Sequence, residues 1–159
     1  MPGQFFEDLR RPPPKARGYV PLVTPRPGRP IKGICLQPDL TGLMVHWLKT
    51  HSAPCLADKS ACPGCQAQTP KRWKGYMPIL ALPSQRISIL EITEEGARNC
   101  SALWLTFKPL FGRIITATRN GLTANCRQTM TIEDQPTRVD LPASPDLREV
   151  LGKIWNQTT

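Results

Sequence analysis

The stretch CLADKSACPGCQAQTPKRWKGY, Cys55–Tyr76, organises the reading of the chain. It holds three cysteines, with His46 and His51 just upstream and a basic, aromatic run, Lys71-Arg72-Trp73-Lys74-Gly75-Tyr76, just downstream. Cys62-Pro63-Gly64-Cys65 is a CxxC whose Pro-Gly centre suits a tight knuckle, with both sulfurs and several backbone N–H groups turned toward one ion. Three cysteines and one histidine form a closed, tetrahedral zinc set. Cys55, Cys62 and Cys65 are therefore read as ligands of a structural Zn2+. For the fourth ligand, His51 closes a compact chelate within the loop, while His46 ties the loop to the preceding strand. A ligand from the scaffold does more to fix an inserted loop, so His46 is preferred and His51 is the alternative.

Outward from this loop, the rest reads as scaffold. Ile31–Leu36 and Leu43–Leu48 are strand-like and separated by turn signals at Gln37-Pro38-Asp39 and Thr41-Gly42. Tyr76–Leu82 is a further apolar run, in which Pro78 predicts an edge or a bulge. Arg86–Ile92 alternates, with Ile87, Ile89 and Leu90 expected to turn inward. Thr93 reads as an N-cap with Glu94 and Glu95 in the first turn. Ala97, Cys100, Ser101 and Trp104 then share one helical face that ends before Pro109. Phe111–Thr118 and Leu122–Ile132 are joined at Asn120-Gly121, a strong hairpin signal. Ser144-Pro145 opens a last helix with Leu147, Val150, Leu151 and Ile154 on one face. Trp47 and Trp104 are assigned to the core, and Cys35, Cys100 and Cys126 to buried thiols.

This order predicts a mainly β protein with minor α: a small, partly open, OB-like barrel with an inserted zinc loop at about 46–76. One helix precedes the last hairpin, and a short helix closes the chain. The expected divisions are a basic, proline-rich flexible arm over 1–30, the barrel over 31–141 and the C-terminal helix over 142–159. The arm interleaves prolines, which remove backbone donors, with Arg10, Arg11, Lys15, Arg17, Arg26 and Arg29.

Bulk properties narrow the function. The 159 residues carry a net charge of +9, and such a chain attracts polyanions. No apolar run is long enough to span a bilayer and no secretory signal is visible, so a reducing cytoplasm is the expected compartment and a membrane is not an expected partner. The zinc deaminase pattern fails for want of a His-x-Glu, and the His-Glu-x-x-His, P-loop and dinucleotide patterns are absent. The chain is not expected to be an enzyme. Single-strand binders combine aromatic stacking platforms with a cationic groove. The expected nucleic-acid-binding residues are Lys71, Arg72, Trp73, Lys74, Tyr76, Phe111, Arg113, Arg119 and Arg127.

The arrangement His46…Cys55…Cys62-Pro63-Gly64-Cys65, followed by Arg72-Trp73-Lys74-Gly75-Tyr76, resembles the zinc-bearing OB-fold single-stranded-DNA-binding proteins of phages and mobile elements, the T4-type among them. In that type a His…Cys…Cys-x-x-Cys site likewise sits in a loop of the barrel. A similar Trp-x-Gly-Tyr after a cysteine cluster, then a helix and a Gly-Arg hairpin (Gly112-Arg113 here), recurs in bacterial and phage proteins. The resemblance covers roughly residues 30–132. It implies a DNA-binding protein acting in replication, recombination or mobile-element DNA processing, with single-stranded DNA and the proteins of that machinery as partners. The alternative is a zinc-knuckle adaptor that docks proteins in a nucleoprotein complex. Sequence-specific duplex binding ranks last, because no helix is basic enough along one face.

Overall fold

The computed structural model describes residues 20–48, 52–56, 58–121, 127–133 and 140–156. Among these the fold is mainly β, one mixed sheet of eight strands that does not close. The strands are β1 (Leu22–Val23), β2 (Ile31–Cys35), β3 (Thr41–Trp47), β4 (Ser52–Pro54), β5 (Lys71–Leu82), β6 (Ile87–Thr93), β7 (Ile114–Arg119) and β8 (Gln128–Ile132). The helices are α1 (Pro63–Gln66), α2 (Glu94–Asn99), α3 (Ser101–Phe107) and α4 (Leu147–Asn156). The main path runs β1-β6-β5-β2-β7-β8, and β3 joins β5 while carrying β4 on its other side. Only β1 pairs in parallel, with β6.

Twelve-residue β5 is the spine. One edge pairs with β6 over Lys74–Leu80. The other pairs with β3 over Lys71–Tyr76 and with β2 over Ile79–Leu82. Pro78 thus lies within a central strand, not at an edge or a bulge. It sits where the partner changes from β3 to β2, so no ladder bond has to be made by its missing N–H. Its carbonyl still accepts from the Leu36 N–H at 2.9 Å, and the N–H of Ile89 opposite turns away to Pro21.

Both faces of this spine are covered, which explains why β6 is buried from Ser88 to Ile92. Leu90 and Ile92 join Met77, Ile79, Ile115, Trp104 and Leu110 in the main core. Ile89 faces the other way, with Tyr76, against Leu147, Val150 and Leu151 of α4. Leu90 and Ile92, not Ile87 and Ile89, are therefore the residues of β6 that fill the main core. Strands buried on both faces lose the simple inward–outward alternation on which the sequence reading relied.

The Thr93 cap forms as expected, and the others differ. The Thr93 hydroxyl accepts from the Gly96 N–H at 3.1 Å and itself donates to Gln128 Oε1 at 2.8 Å, fastening the start of α2 to β8. The helical stretch breaks at Cys100 into α2 and α3 and stops before Pro109. At α4 the cap is Asp146, which accepts from the N–H groups of Arg148 and Glu149, rather than Ser144.

Three further expectations change. Leu22–Val23, inside the stretch read as arm, forms a strand on β6, and residues 1–19 lie outside the described residues. Asn120-Gly121 is not a two-residue hairpin: Arg119 pairs with Gln128 and the Asn120 N–H bonds Arg127 O at 2.8 Å, while residues 122–126, with Cys126, lie outside the described residues. Trp47 is 58% exposed instead of buried, whereas Trp104 is in the core as expected.

Two buried acids set an alkaline limit on stability. Burial pushes the Cys35 thiol up from 9.0 to about 12. Burial, then the neighbouring Glu91 carboxylate, holds the Tyr76 hydroxyl well above its ordinary 10.0. Both groups lose their protons first in the unfolded chain, so their contribution is complete below pH 9.0 and falls as pH rises toward about 12. Melting temperatures measured across that range are expected to drop steadily, and Tyr76→Phe to flatten the upper part of the slope. An unchanged slope in that variant would show that Tyr76 is not held protonated by the fold.

Candidate metal centre

The knuckle is built where β3, β4 and β5 meet. β4 pairs back on β3, with His46 opposite Ala53, and the Cys55 N–H donates to Met44 O at 2.8 Å. This brings Cys55 beside the end of the strand that carries His46. Pro63 opens the single-turn α1, in which Gln66 N–H reaches Cys62 O at 3.0 Å and Ala67 N–H reaches Pro63 O at 2.9 Å. The turn carries Cys62 and Cys65 to the same side.

His46, Cys55, Cys62 and Cys65 place their ligand atoms within 4.8 Å of one another, and this cluster could hold a metal ion. Cys55 Sγ and Cys65 Sγ are 3.8 Å apart, and Cys65 Sγ is 3.6 Å from His46 Nε2. A tetrahedral zinc with Zn–S near 2.3 Å and Zn–N near 2.0–2.1 Å puts two sulfurs about 3.8 Å apart and a sulfur and a nitrogen about 3.5 Å apart. The donor set fits that ion in type, number and spacing. Four protein donors fill a tetrahedron and leave no open position, which is the pattern of a structural site.

The surroundings orient the ligands. His46 Nδ1 lies 3.0 Å from Thr69 O and 3.1 Å from Thr69 Oγ1. A carbonyl can only accept, so Nδ1 carries the hydrogen and Nε2 presents its lone pair to the sulfurs. Thr69 is fixed in turn by Gly64 O, which accepts from its N–H at 3.0 Å and from its hydroxyl at 3.1 Å. Cys62 is buried. The N–H groups of Leu56 and then Cys65 aim at its sulfur and lower the thiol to about 6. Burial, then the neighbouring Cys62 and Cys55 thiols, raise Cys65. Gly64 lies under the His46 ring so closely that a Cβ there would overlap the ring carbons.

The expected ligands Cys55, Cys62, Cys65 and His46 are thus brought together, and the alternative His51 lies outside the described residues. Thr69 and Gly64 were not singled out from the sequence. The Pro-Gly filling of the CxxC hinted at Gly64, and nothing at Thr69.

The expected nucleic-acid residues are dispersed. Lys71 and Arg72 are exposed and make no ion pair with another described residue. Trp73 is half-buried, its ring laid against Gly42 and Gly75, where a Cβ would stand 2.5 Å and 2.9 Å from it. Tyr76 is no surface platform. It is fully buried, donates to Glu91 Oε2 at 3.2 Å and meets Trp155 edge-on at 6.1 Å. The pleat explains the split, because Trp73 and Tyr76 stand an odd number of residues apart and face opposite sides of β5. Lys74 pairs with the same Glu91 at 2.7 Å. Phe111 is exposed, and Arg113 lies 5.2 Å over the Phe107 ring. Arg119 and Arg127 sit at the far end of β7 and β8, with Arg127 paired to Glu95 at 3.4 Å. Met44 and Trp47, on the strand beside Trp73, are exposed and were missed as surface residues.

Among the described residues no helix is long and apolar enough to cross a membrane. Comparison with protein-family models, with curated proteins and with solved structures finds no match for this chain.

Proposed function

We propose that the chain is a non-enzymatic single-stranded nucleic-acid-binding protein, with DNA the favoured partner, whose His46/Cys55/Cys62/Cys65 cluster holds a structural Zn2+. The observation that carries this reading is the half-buried Trp73 ring on the β3–β5 ladder near the metal cluster, with exposed Lys71 two residues before it on the same face of the strand and exposed Arg72 on the other. A flat ring with an exposed cation on its own face offers stacking and phosphate neutralisation together, and it accepts every base because every base has a π-face. The resemblance to zinc-bearing OB-fold single-strand binders points the same way. Tyr76 drops out of the proposed interface, and exposed Met44, paired with Trp73, borders it.

In a salt-titrated binding measurement on single- and double-stranded oligonucleotides, Trp73→Ala is expected to weaken single-strand binding by about one to two powers of ten, the equivalent of about 1–3 kcal/mol. Duplex binding should be weaker from the start, because paired bases cannot be splayed onto the ring. A folded, metal-loaded Trp73→Ala that binds single strands as tightly as the parent overturns the platform.

A protein-docking adaptor is the second reading, favoured by the exposure of Met44, Trp47 and Leu56 around the knuckle. It expects binding to nucleic acid that is weak, equal for single and double strands and indifferent to Trp73.

A further inference from the structure

Arg26-Pro27-Gly28-Arg29 forms a tight two-residue turn. The Arg29 N–H donates to Arg26 O at 2.8 Å and the Arg26 N–H to Arg29 O at 3.3 Å. Proline at the second position and Gly28 at φ 71° are the pattern of a type II turn. The two arginines face each other as a hydrogen-bonded antiparallel pair, with Cα atoms about 5.5 Å apart and side chains on one side. Like charges directly opposite destabilise such a pair. Neither arginine makes an ion pair with another described residue, whereas Lys32, Arg98, Lys108 and Arg127 each meet a carboxylate.

The topology gathers more positive charge at the same end of the sheet. Arg86, exposed, immediately precedes β6, beside the end of β5 at Leu82. Lys32 of β2 pairs with Leu82, so Arg29 lies just beyond that level, and Pro27 bridges to Arg119 at the end of β7. Strand β1 runs parallel to β6 and starts at this end. The metal cluster and Trp73 are at the opposite end of β5, nine residues from Leu82, a contour length of about 30 Å.

We propose that this arginine end, centred on the Arg26/Arg29 pair with Arg86 at the same end of the sheet, is a grip for the phosphodiester backbone of single-stranded nucleic acid. The strand is then held at two points: bases on Trp73, phosphates on the arginine turn. This rests on the nucleic-acid reading but locates a second, separate contact that the cysteine loop does not supply. Guanidinium pairs match phosphate oxygens in planar, bidentate geometry, which suits them to this task better than lysine.

The test uses the full, metal-loaded chain and an oligothymidylate of about 16 nucleotides, long enough for an OB-sized site. R26Q/R29Q keeps the Pro-Gly turn and the side-chain stems. It is expected to lower affinity about ten- to thirtyfold near 0.1 M salt and to reduce the slope of log K against log salt by about 1.4, at about 0.7 per lost phosphate contact on a single strand. The charge-matched R98Q/R148Q, placed on α2 and α4, is expected to change the slope much less. Combined with Trp73→Ala, the two losses should multiply, as for sites that share no partner. Equal effects from both charge-matched pairs would reduce the pair to bulk charge and overturn the grip. So would R26Q/R29Q binding like the parent while Trp73→Ala fails, which leaves the platform reading standing. A parent that does not bind the oligonucleotide sinks both. Loss confined to vesicles of anionic lipid would reassign the turn to a membrane surface and overturn it as well.

Discussion

Cys62→Ser is expected to strip the chain of its metal and to melt the knuckle, whereas Cys100→Ser leaves metal content unchanged. Cys62 is the ligand most deeply enclosed by the loop, its sulfur collecting the N–H groups of Leu56 and Cys65. A hydroxyl there neither ionises near neutral pH nor matches the soft donor set, so three ligands remain and the binding free energy that folds the loop is lost. Disturbing an outer hydrogen-bond partner of a ligand already costs about 10–100-fold in metal affinity, and removing the ligand costs more. Cys100 is also buried, but its thiol only donates to Met130 O at 3.4 Å within the core. Its loss is an ordinary core substitution of about 1 kcal/mol. Elemental analysis of protein purified without chelator should find about one zinc per chain in the parent and in Cys100→Ser. Cys62→Ser should be nearly metal-free and melt at lower temperature. A parent without zinc, or a Cys62→Ser variant that keeps it, removes the structural site from the reading.

The donor set was legible because metal chemistry leaves a mark in linear spacing. A CxxC with a Pro-Gly centre can turn in only a few ways, and Cys55 had to lie within a loop's reach of it. The preference for His46 rested on an argument about anchoring, and the strand pairing of β3 with β5 puts that residue against α1. Thr69 left no trace, since an unremarkable threonine becomes an orienting group only through the fold that seats its carbonyl under Nδ1.

Where the sheet was misread, one physical cause recurs. The period-2 rule separates an inside from an outside, and here α4 covers the face that the rule assigns to solvent. Tyr76 and Ile89 consequently lie in a second apolar layer. Trp47 errs in the opposite direction: it lies at the end of β3, past the reach of either core, although its composition reads as interior. Pro78 obeys the rule that proline avoids a ladder bond, but satisfies it by standing at a change of partner, which only the pairing of three strands can show.

Gly64→Ala separates the geometric account of the knuckle from its chemical one, because it alters no ligand. A Cβ at this position would overlap Cγ, Cδ2 and Cβ of His46, with the ring held in place by Thr69. The ring cannot swing aside without taking Nε2 away from Cys65 Sγ, now 3.6 Å distant. The expected cost lies at the upper end of overpacking, about 3 kcal/mol, or a fall of about 6–12 °C in Tm. Competition with a chelator should also show weaker zinc retention. Gly152→Ala is the contrast: it sits in α4, nothing lies within 4 Å of the added Cβ, and alanine is preferred in a helix by about 0.5–1 kcal/mol. That variant should be at least as stable as the parent with zinc unchanged. If Gly64→Ala instead matches the parent in both stability and zinc retention, the His46 ring does not rest on the knuckle. The fourth ligand would then be His51, and the anchor between the cysteine loop and β3 would lie within the loop itself.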